Sequence, residues 1–254
     1  MHYAAEVSYD GSDFCGWQKQ PGLPTVQESI EAALTKLNSQ EHVSIVGAGR
    51  TDAGVHAKGQ VCSFAMKRNR DPRRLLLALN ANLHENISAI RIVRVTSDFN
   101  ALLNANAREY KYFIWNSNTI YPHIKPVTCW LKSLDYNWEM ASEACKYFEG
   151  EHNFKSFCKI HRCPDKPIRT LYKVRLDKRG KLITLSVKGD GFLTNMVRIM
   201  MGCLEKVAKG EHRPEWVKGL LTSEYKRSTV GRTFSPEGLF LWKVNYDESI
   251  WNSY

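Results

Sequence analysis

Gly47-Ala48-Gly49-Arg50-Thr51-Asp52-Ala53-Gly54-Val55-His56-Ala57 is the stretch on which the reading of this 254-residue chain turns. Three glycines within eight residues indicate a tight loop with exposed backbone. The loop separates two β-like runs, Val43 to Val46 and Gln60 to Ala65. Upstream, Tyr3 to Tyr9 reads as a strand. Thr25-Val26-Gln27-Glu28 has the form of a capping box, followed by Ile30, Ala33, Leu34 and Leu37 at helical spacing, so Val26 to Asn38 is expected to be a helix. Downstream, Asp71-Pro72 is a cap with Pro at the first helical position and opens a helix to about Ala81. Ile87 to Val95 then alternates as a strand. The quoted loop thus joins the two middle strands of a β-α-β-β-α-β order, the split βαβ pattern.

The second half repeats that order. Glu109 to Trp115 alternates as a strand, and Trp138 to Phe148 reads as a helix with Met140, Ala144, Tyr147 and Phe148 on one face. Thr170 to Leu176 and Leu182 to Val187 are strands around a turn at Arg179-Gly180. Phe192 to Ala208 is a long helix, Pro214 opens a shorter one, and Leu239 to Val244 closes as a strand. The predicted fold class is α+β: two related ferredoxin-like or RRM-like halves with mixed, mainly antiparallel sheets flanking a central cleft, a usual place for a site. The division falls near residues 98–107, giving halves 1–103 and 104–254.

Charge is distributed unevenly between these halves. Residues 1–103 carry 11 Lys and Arg against 10 Asp and Glu, a net of +1, while residues 104–254 carry 25 against 16, a net of +9. So basic a half fits a polyanionic partner, usually nucleic acid, or else a solvated basic surface with none. Hydrophobic content of 43% excludes disorder as the main state. Phe192 to Leu204 is apolar but is interrupted by Arg198 and too short to span a bilayer. The first residues lack the features of a secretory signal, so the seven Cys are expected as reduced thiols in a cytoplasmic protein.

The loop itself does not cradle phosphate. Gly49 and Gly54 have phosphate-loop spacing, but Val55-His56 stands where Lys-Ser/Thr is required. A dinucleotide fingerprint fails because Asp52 occupies its third glycine position, and a carboxylate there repels phosphate. The loop presents Arg50, Asp52 and His56 instead. An Asp flanked by Arg and backbone amides stays charged and can act as nucleophile, base, or stabiliser of an oxocarbenium-like sugar. The plain alternative is an Asp that caps its own loop with Arg as partner, and His56 as a packed, hydrogen-bonding residue.

Arg50-Thr51-Asp52-Ala53-Gly54-Val55-His56-Ala57 resembles the signature loop of the pseudouridine synthase A family, which acts on transfer RNA. Tyr9-Asp10-Gly11, Gly16-Trp17-Gln18, Val26-Gln27-Glu28 and Asn80-Ala81-Asn82-Leu83 are similar to its other N-terminal anchors. Ala107-Arg108-Glu109-Tyr110-Lys111-Tyr112 resembles its strand with the active-site Tyr. Gly191-Phe192-Leu193, Met196-Val197-Arg198 and Gly202 resemble its late helix, and Glu237-Gly238-Leu239 with Val244-Asn245-Tyr246 its closing strand. Phe234-Ser235 departs from the common Ala-Pro, and Thr194-Asn195 from a common Tyr or His; neither is at the Asp, Tyr or Arg positions.

The resemblance implies the pseudouridine synthase fold and isomerisation of uridine in transfer RNA, at the anticodon stem-loop (RNA positions 38–40), with no cofactor and no metal. It implies Asp52, Tyr110 and Arg198 as catalytic residues and Arg50, Thr51, His56 and Tyr110 as substrate-binding ones. Asp52 adds to C1′ or removes a sugar proton; Tyr110 stacks on the flipped base and can accept the C5 proton; Arg198 pairs with Asp52; Arg50 fills the space of the base or grips the backbone. It also implies a homodimer with one RNA across both subunits. A core pair of Tyr110 with Tyr112 on one strand face is the plain alternative for the Tyr, and an Arg within an apolar helix requires a partner in either case.

Two further features stay open. His152, Cys158, His161 and Cys163 could ligate zinc, but their spacing matches no standard site and no Cys-x-x-Cys occurs. Lys155, Lys159, Arg162, Lys166 and Arg169, interleaved with Phe154 and Phe157, form either an RNA-contact loop or a solvated basic one. The competing functions are a non-catalytic module of two RRM-like halves, a related pseudouridine synthase with another RNA target, and a hydrolase using Asp52 and His56. The first lacks an RNP1 strand, and the hydrolase leaves the basic half without use.

Overall fold

The computed structural model describes the chain except residues 133–134, 160–162, 223–229, 248 and 253–254. By internal contact the chain forms two compact units, Met1–Asn106 with Leu241–Tyr254, and Ala107–Phe240. The C-terminal segment therefore belongs with the first unit in space. The charge division sharpens accordingly: the first unit carries 12 Lys and Arg against 12 Asp and Glu, a net of zero, and the second 24 against 14, a net of +10.

In the first unit the observed order is β1 (His2–Tyr9), α1 (Val26–Leu37), β2 (Ile45–Gly47), β3 (His56–Ala65), α2 (Pro72–Asn80) and β4 (Ile87–Val95), the expected β-α-β-β-α-β. β1 lies between β3 and β4, antiparallel to both, and β2 adds to β3. Thr25 caps α1 by accepting from the Glu28 amide at 3.4 Å, and Asp71 caps α2 by accepting from the Arg74 amide at 3.0 Å. Of the helical stripe read on α1, Ile30, Ala33 and Leu34 are buried, together with Val26, and Leu37 is half-buried; on α2 the buried side chains are Leu75 and Leu79. Each buried Val, Ile or Leu of these contributes about 1.5–3 kcal/mol by leaving water. Buried Glu31 accepts from the Ile45 amide at 3.1 Å and from Gln27 at 3.0 Å, which ties α1 to β2. β3 begins at His56, earlier than the alternation at Gln60 indicates, because β1 continues to pair with it as far as Tyr9 opposite Ala57.

The second unit is built on β5 (Ala107–Asn116), β9 (Leu182–Gly189), β8 (Ile168–Arg179) and β7 (Gly150–Asn153), each antiparallel to the next. The β8–β9 hairpin turns at Gly180, whose φ is +60°. α3 (Trp138–Cys145) packs on β8 and on α4 (Met196–Ala208), followed by the short α5 (Trp216–Leu220). β10 (Leu239–Asn245) starts in this unit and ends in the first. The architecture is the mixed, mainly antiparallel α+β class expected, with β6 (Cys129–Leu131) as a parallel partner of β5.

Four details differ from the sequence reading. β6 and β7 were not anticipated; one has three residues and the other, Gly-Glu-His-Asn, has no apolar alternation, so pairing to a neighbour defines them. The helix from Trp138 tightens into a 3-10 turn at Lys146–Phe148. The long helix starts at Met196 instead of Phe192, because Asn195 has a left-handed backbone with φ +63° and ψ 6° and cannot continue a right-handed helix. The one opened by Pro214 begins at Trp216. Among the described residues no helix is long and apolar enough to cross a membrane.

Candidate active site

The Asp52 loop is fastened along its whole length to its own unit. At its start the Ala48 amide donates to Val61 O at 2.8 Å and Gln60 Nε2 to Gly49 O at 2.8 Å. In its middle Thr51 O accepts from the Trp17 amide at 3.1 Å, and Thr51 Oγ1 is 2.8 Å from the hydroxyl of buried Tyr9. At its end the Val55 amide donates to Asp52 O at 3.1 Å, closing a turn, and the Gly54 amide donates to Phe14 O at 3.2 Å. Two glycines outside the loop make this approach possible. A Cβ on Gly11 would lie 2.1 Å from Val55 O, and one on Gly16, whose φ is +95°, would lie 2.7 Å from Thr51 O. The glycines of Tyr9-Asp10-Gly11 and Gly16-Trp17-Gln18 are therefore steric conditions for the loop's shape.

These contacts sort the loop's side chains. Arg50 is exposed and Asp52 half-buried, at the surface of a fixed turn. Thr51 and His56 are buried, 7% and 1% exposed, and face inward. His56 Nδ1 accepts from the Gly11 amide at 3.1 Å and lies 3.1 Å from Asp10 Oδ1. Partial burial raises the Asp10 carboxyl, but hydrogen bonding from Ser12 outweighs it and holds that group below the usual carboxylate range. Asp10 and Tyr9 thus support the loop, a part the sequence motif did not disclose.

Tyr110 and Arg198 belong to the second unit. Tyr110 lies on the buried face of β5 with Tyr112 and Ile114, opposite Val187 of β9, and is 8% exposed. Its ring meets Phe192 edge-on at 4.8 Å. Tyr112 is the core tyrosine of the pair: it is fully buried, donates to Ser235 O at 2.6 Å, and burial pushes its hydroxyl far above the ordinary range. Arg198, on the first turn of α4, donates from Nε to Phe234 O at 2.6 Å and from Nη1 to Asn195 Oδ1 at 2.8 Å. Both departures from the family pattern, at Asn195 and Phe234, therefore touch the arginine. The Phe234 segment is pressed on α4 by backbone contact, since a Cβ on Gly202 would lie 2.0 Å from Arg232 O. It is also held by a bidentate pair of Arg232 with buried Glu205, both bonds 2.8 Å.

The remaining candidates are placed as follows. Phe154 and Phe157 are fully buried and pack with Phe148, so these aromatics belong to the core and cannot stack on bases. Lys155, Lys159, Lys166 and Arg169 remain as the cations of that segment, and Arg162 lies outside the described residues. His152 Nε2 sits 2.8 Å from Glu149 O, Cys158 is buried with its thiol pushed up to about 11, mainly by burial, and His161 lies outside the described residues.

The family described as tRNA pseudouridine synthase matches residues 5–108 and 144–247, one segment in each half of the repeated architecture. The chain is 39% identical over 250 residues to tRNA pseudouridine synthase A of Oceanobacillus iheyensis, covering 96% of each. It is 40% identical over 245 residues to that of Pseudothermotoga lettingae, covering 96% of this chain and 99% of the relative. With that of Colwellia psychrerythraea it shares 34% over 253 residues, 98% and 95% of the two chains. A loop fastened as this one is, around a half-buried Asp, and a match through both halves leave one conclusion: the chain belongs to the tRNA pseudouridine synthase family.

Proposed function

We propose that this chain isomerises uridine to pseudouridine in transfer RNA, within the anticodon stem-loop. The N1–C1′ bond breaks, the base turns, C5 bonds to C1′, and the proton lost from C5 is balanced by one gained at N1. The observation that carries this reading is Asp52, a half-buried carboxylate on a turn held at both ends by backbone hydrogen bonds. Such a group reaches a sugar without first being ordered, which is the use of a fixed carboxylate at an oxocarbenium-like centre.

The other roles follow the placement of each side chain. Arg50, exposed beside Asp52, meets the RNA. Thr51 and His56, buried, hold the loop that meets it. Tyr110, 8% exposed on β5, stacks on the extruded base and can accept its C5 proton, at a flipping cost of a few kcal/mol. Arg198 supplies a cation whose plane is fixed. The net +10 of the second unit suits the phosphates of the RNA. The protein acts in the cytoplasm as a homodimer.

Incubation with unmodified transfer RNA followed by mapping of pseudouridine tests the reading. Wild type should modify the anticodon stem-loop and Asp52→Asn should not. Wild type that modifies no transfer RNA would sink the activity, and a fully active Asp52→Asn would sink the site. Sedimentation at micromolar concentration should give twice the chain mass.

A further inference from the structure

Asn195 occupies an unusual position. It precedes α4 as its N-terminal cap, yet its side chain makes no capping hydrogen bond. Thr25, Asp71 and Asn137, which precede α1, α2 and α3, all accept from a backbone amide three residues on. The Asn195 carbonyl oxygen instead accepts from Arg198 Nη1 at 2.8 Å. The backbone there is left-handed, φ +63° and ψ 6°, one of three non-glycine residues with positive φ among those described. The residue is 8% exposed. A strained backbone that turns a side chain away from the usual cap and onto a functional arginine is the pattern in which strain serves a site.

The second hold on the same guanidinium comes from Phe234. Its carbonyl accepts from Arg198 Nε at 2.6 Å, while its amide donates to Arg198 O at 3.2 Å. Two of the five guanidinium N–H groups are thereby directed, from two sides, by groups of the same unit. Contacts at two different nitrogens constrain both the position and the plane of a guanidinium.

We infer that Asn195 is a positioning residue of the isomerisation, acting only through Arg198, whose plane it sets together with the Phe234 carbonyl. This rests on the proposed activity and on Arg198 as one of its residues. Asn is suited to the task because it tolerates the left-handed region and carries an acceptor on a short arm. Ala lacks the acceptor and is strained there. Gly lacks the acceptor but is relaxed there. Asp keeps both the acceptor and the tolerance.

The test is single-turnover and steady-state pseudouridine formation on one transfer RNA, with wild type, Asn195→Gly, Asn195→Asp, Arg198→Lys and the double variant Asn195→Gly/Arg198→Lys. Thermal melting of each variant confirms folding. Asn195→Gly should lower kcat about 30-fold with KM within about twofold, as misplacement of a functional group does. Asn195→Asp should recover to within about fivefold of wild type. In the Arg198→Lys background the Gly substitution should cost about twofold or less, since the group it aims is gone. A fully active Asn195→Gly overturns the inference, as does an Asp variant that falls with it, a loss confined to KM, or an undiminished loss in the Arg198→Lys background. If wild type itself forms no pseudouridine, the proposed activity fails first and the inference falls with it; the other outcomes leave that activity standing.

Discussion

Gly11→Ala is the sharpest probe of how the loop is built. Its Cβ would lie 2.1 Å from Val55 O and 2.5 Å from Val55 C, and these are backbone atoms that cannot rotate away. Normal contact requires a separation near 3.2 Å or more, so the Val55 peptide must retreat by about 1 Å. Val55 closes the turn on Asp52 O, and the next residue, His56, receives the Gly11 amide. Overpacking of this kind costs about 1–3 kcal/mol, and 1 kcal/mol lowers Tm by about 2–4 °C in a chain of this size. The functional effect should be larger, because a shift of about 1 Å in a reacting group lowers kcat by about 10²-fold. Gly22→Ala is the control. Nothing lies within 4 Å of its Cβ, but φ is +71°, so it should lose about 1 kcal/mol through strain while kcat stays at the wild-type value. Melting curves and single-turnover pseudouridine formation well below both midpoints separate the two effects. Wild-type kcat in Gly11→Ala would refute the claim that this backbone contact sets the geometry of Asp52.

Other consequences can be checked with simple measurements. Affinity for transfer RNA should fall about 10³-fold between 50 and 200 mM salt if the basic unit engages about six phosphates; a flat salt profile would remove RNA binding from the explanation of its charge. Glu205→Ala should destabilise by about 1–2 kcal/mol, since it removes the bidentate partner of a half-exposed Arg232, which water can still solvate, and vacates a buried site at α4; a Tm unchanged within 2 °C would show that the pair contributes nothing. Burial pushes the Cys62 and Cys145 thiols up to about 12 and raises the Tyr112 hydroxyl, so the unfolded chain releases these protons first. Their stabilisation is complete below about pH 8.5, the ordinary thiol value, and is lost as pH rises towards 12; a Tm that holds constant from pH 8 to 11 would contradict this sign. Cys15 and Cys163, which are partly exposed, should be modified by a thiol reagent in the native state well before the buried Cys62, Cys145 and Cys203.

The sequence disclosed what is written in local pattern. The cap at Thr25 with the stripe behind it located α1, and the Asp71-Pro72 start located α2, because helix ends and helix faces depend on residues a few positions apart. The strands β6 and β7 escaped because Cys-Trp-Leu and Gly-Glu-His-Asn acquire strand geometry only by pairing, β6 with β5 and β7 with β8. Phe154 and Phe157 escaped in another way. A basic segment with aromatics between its charges has one composition whether the rings stack on bases or fill a core, and here both are fully buried. The start of α4 escaped because a left-handed Asn leaves no mark in apolar periodicity. Within the site, the motif presented Arg50, Asp52 and His56 and left His56 between a reactive and a packed role; that it and Thr51 face inward depends on Tyr9 and Asp10, more than 40 residues away along the chain.

The Asp52 loop and the Arg198 segment are held by the same device, and it explains why so much of the resemblance lies in glycines. In the first unit the Asp52 loop is set by backbone placed where Gly11 and Gly16 leave room for Val55 O and Thr51 O. In the second, the segment that holds Arg198 crosses α4 where Gly202 and Gly231 meet, with a Gly231 φ of +139°. Side-chain packing can relax by a rotamer change when a neighbour alters, and a site that depends on it inherits that play. A contact between two backbones has no rotamer to change, so it fixes a carboxylate or a guanidinium by excluding every Cβ that would separate the chains. Orientation costs are then met during folding, before any RNA arrives.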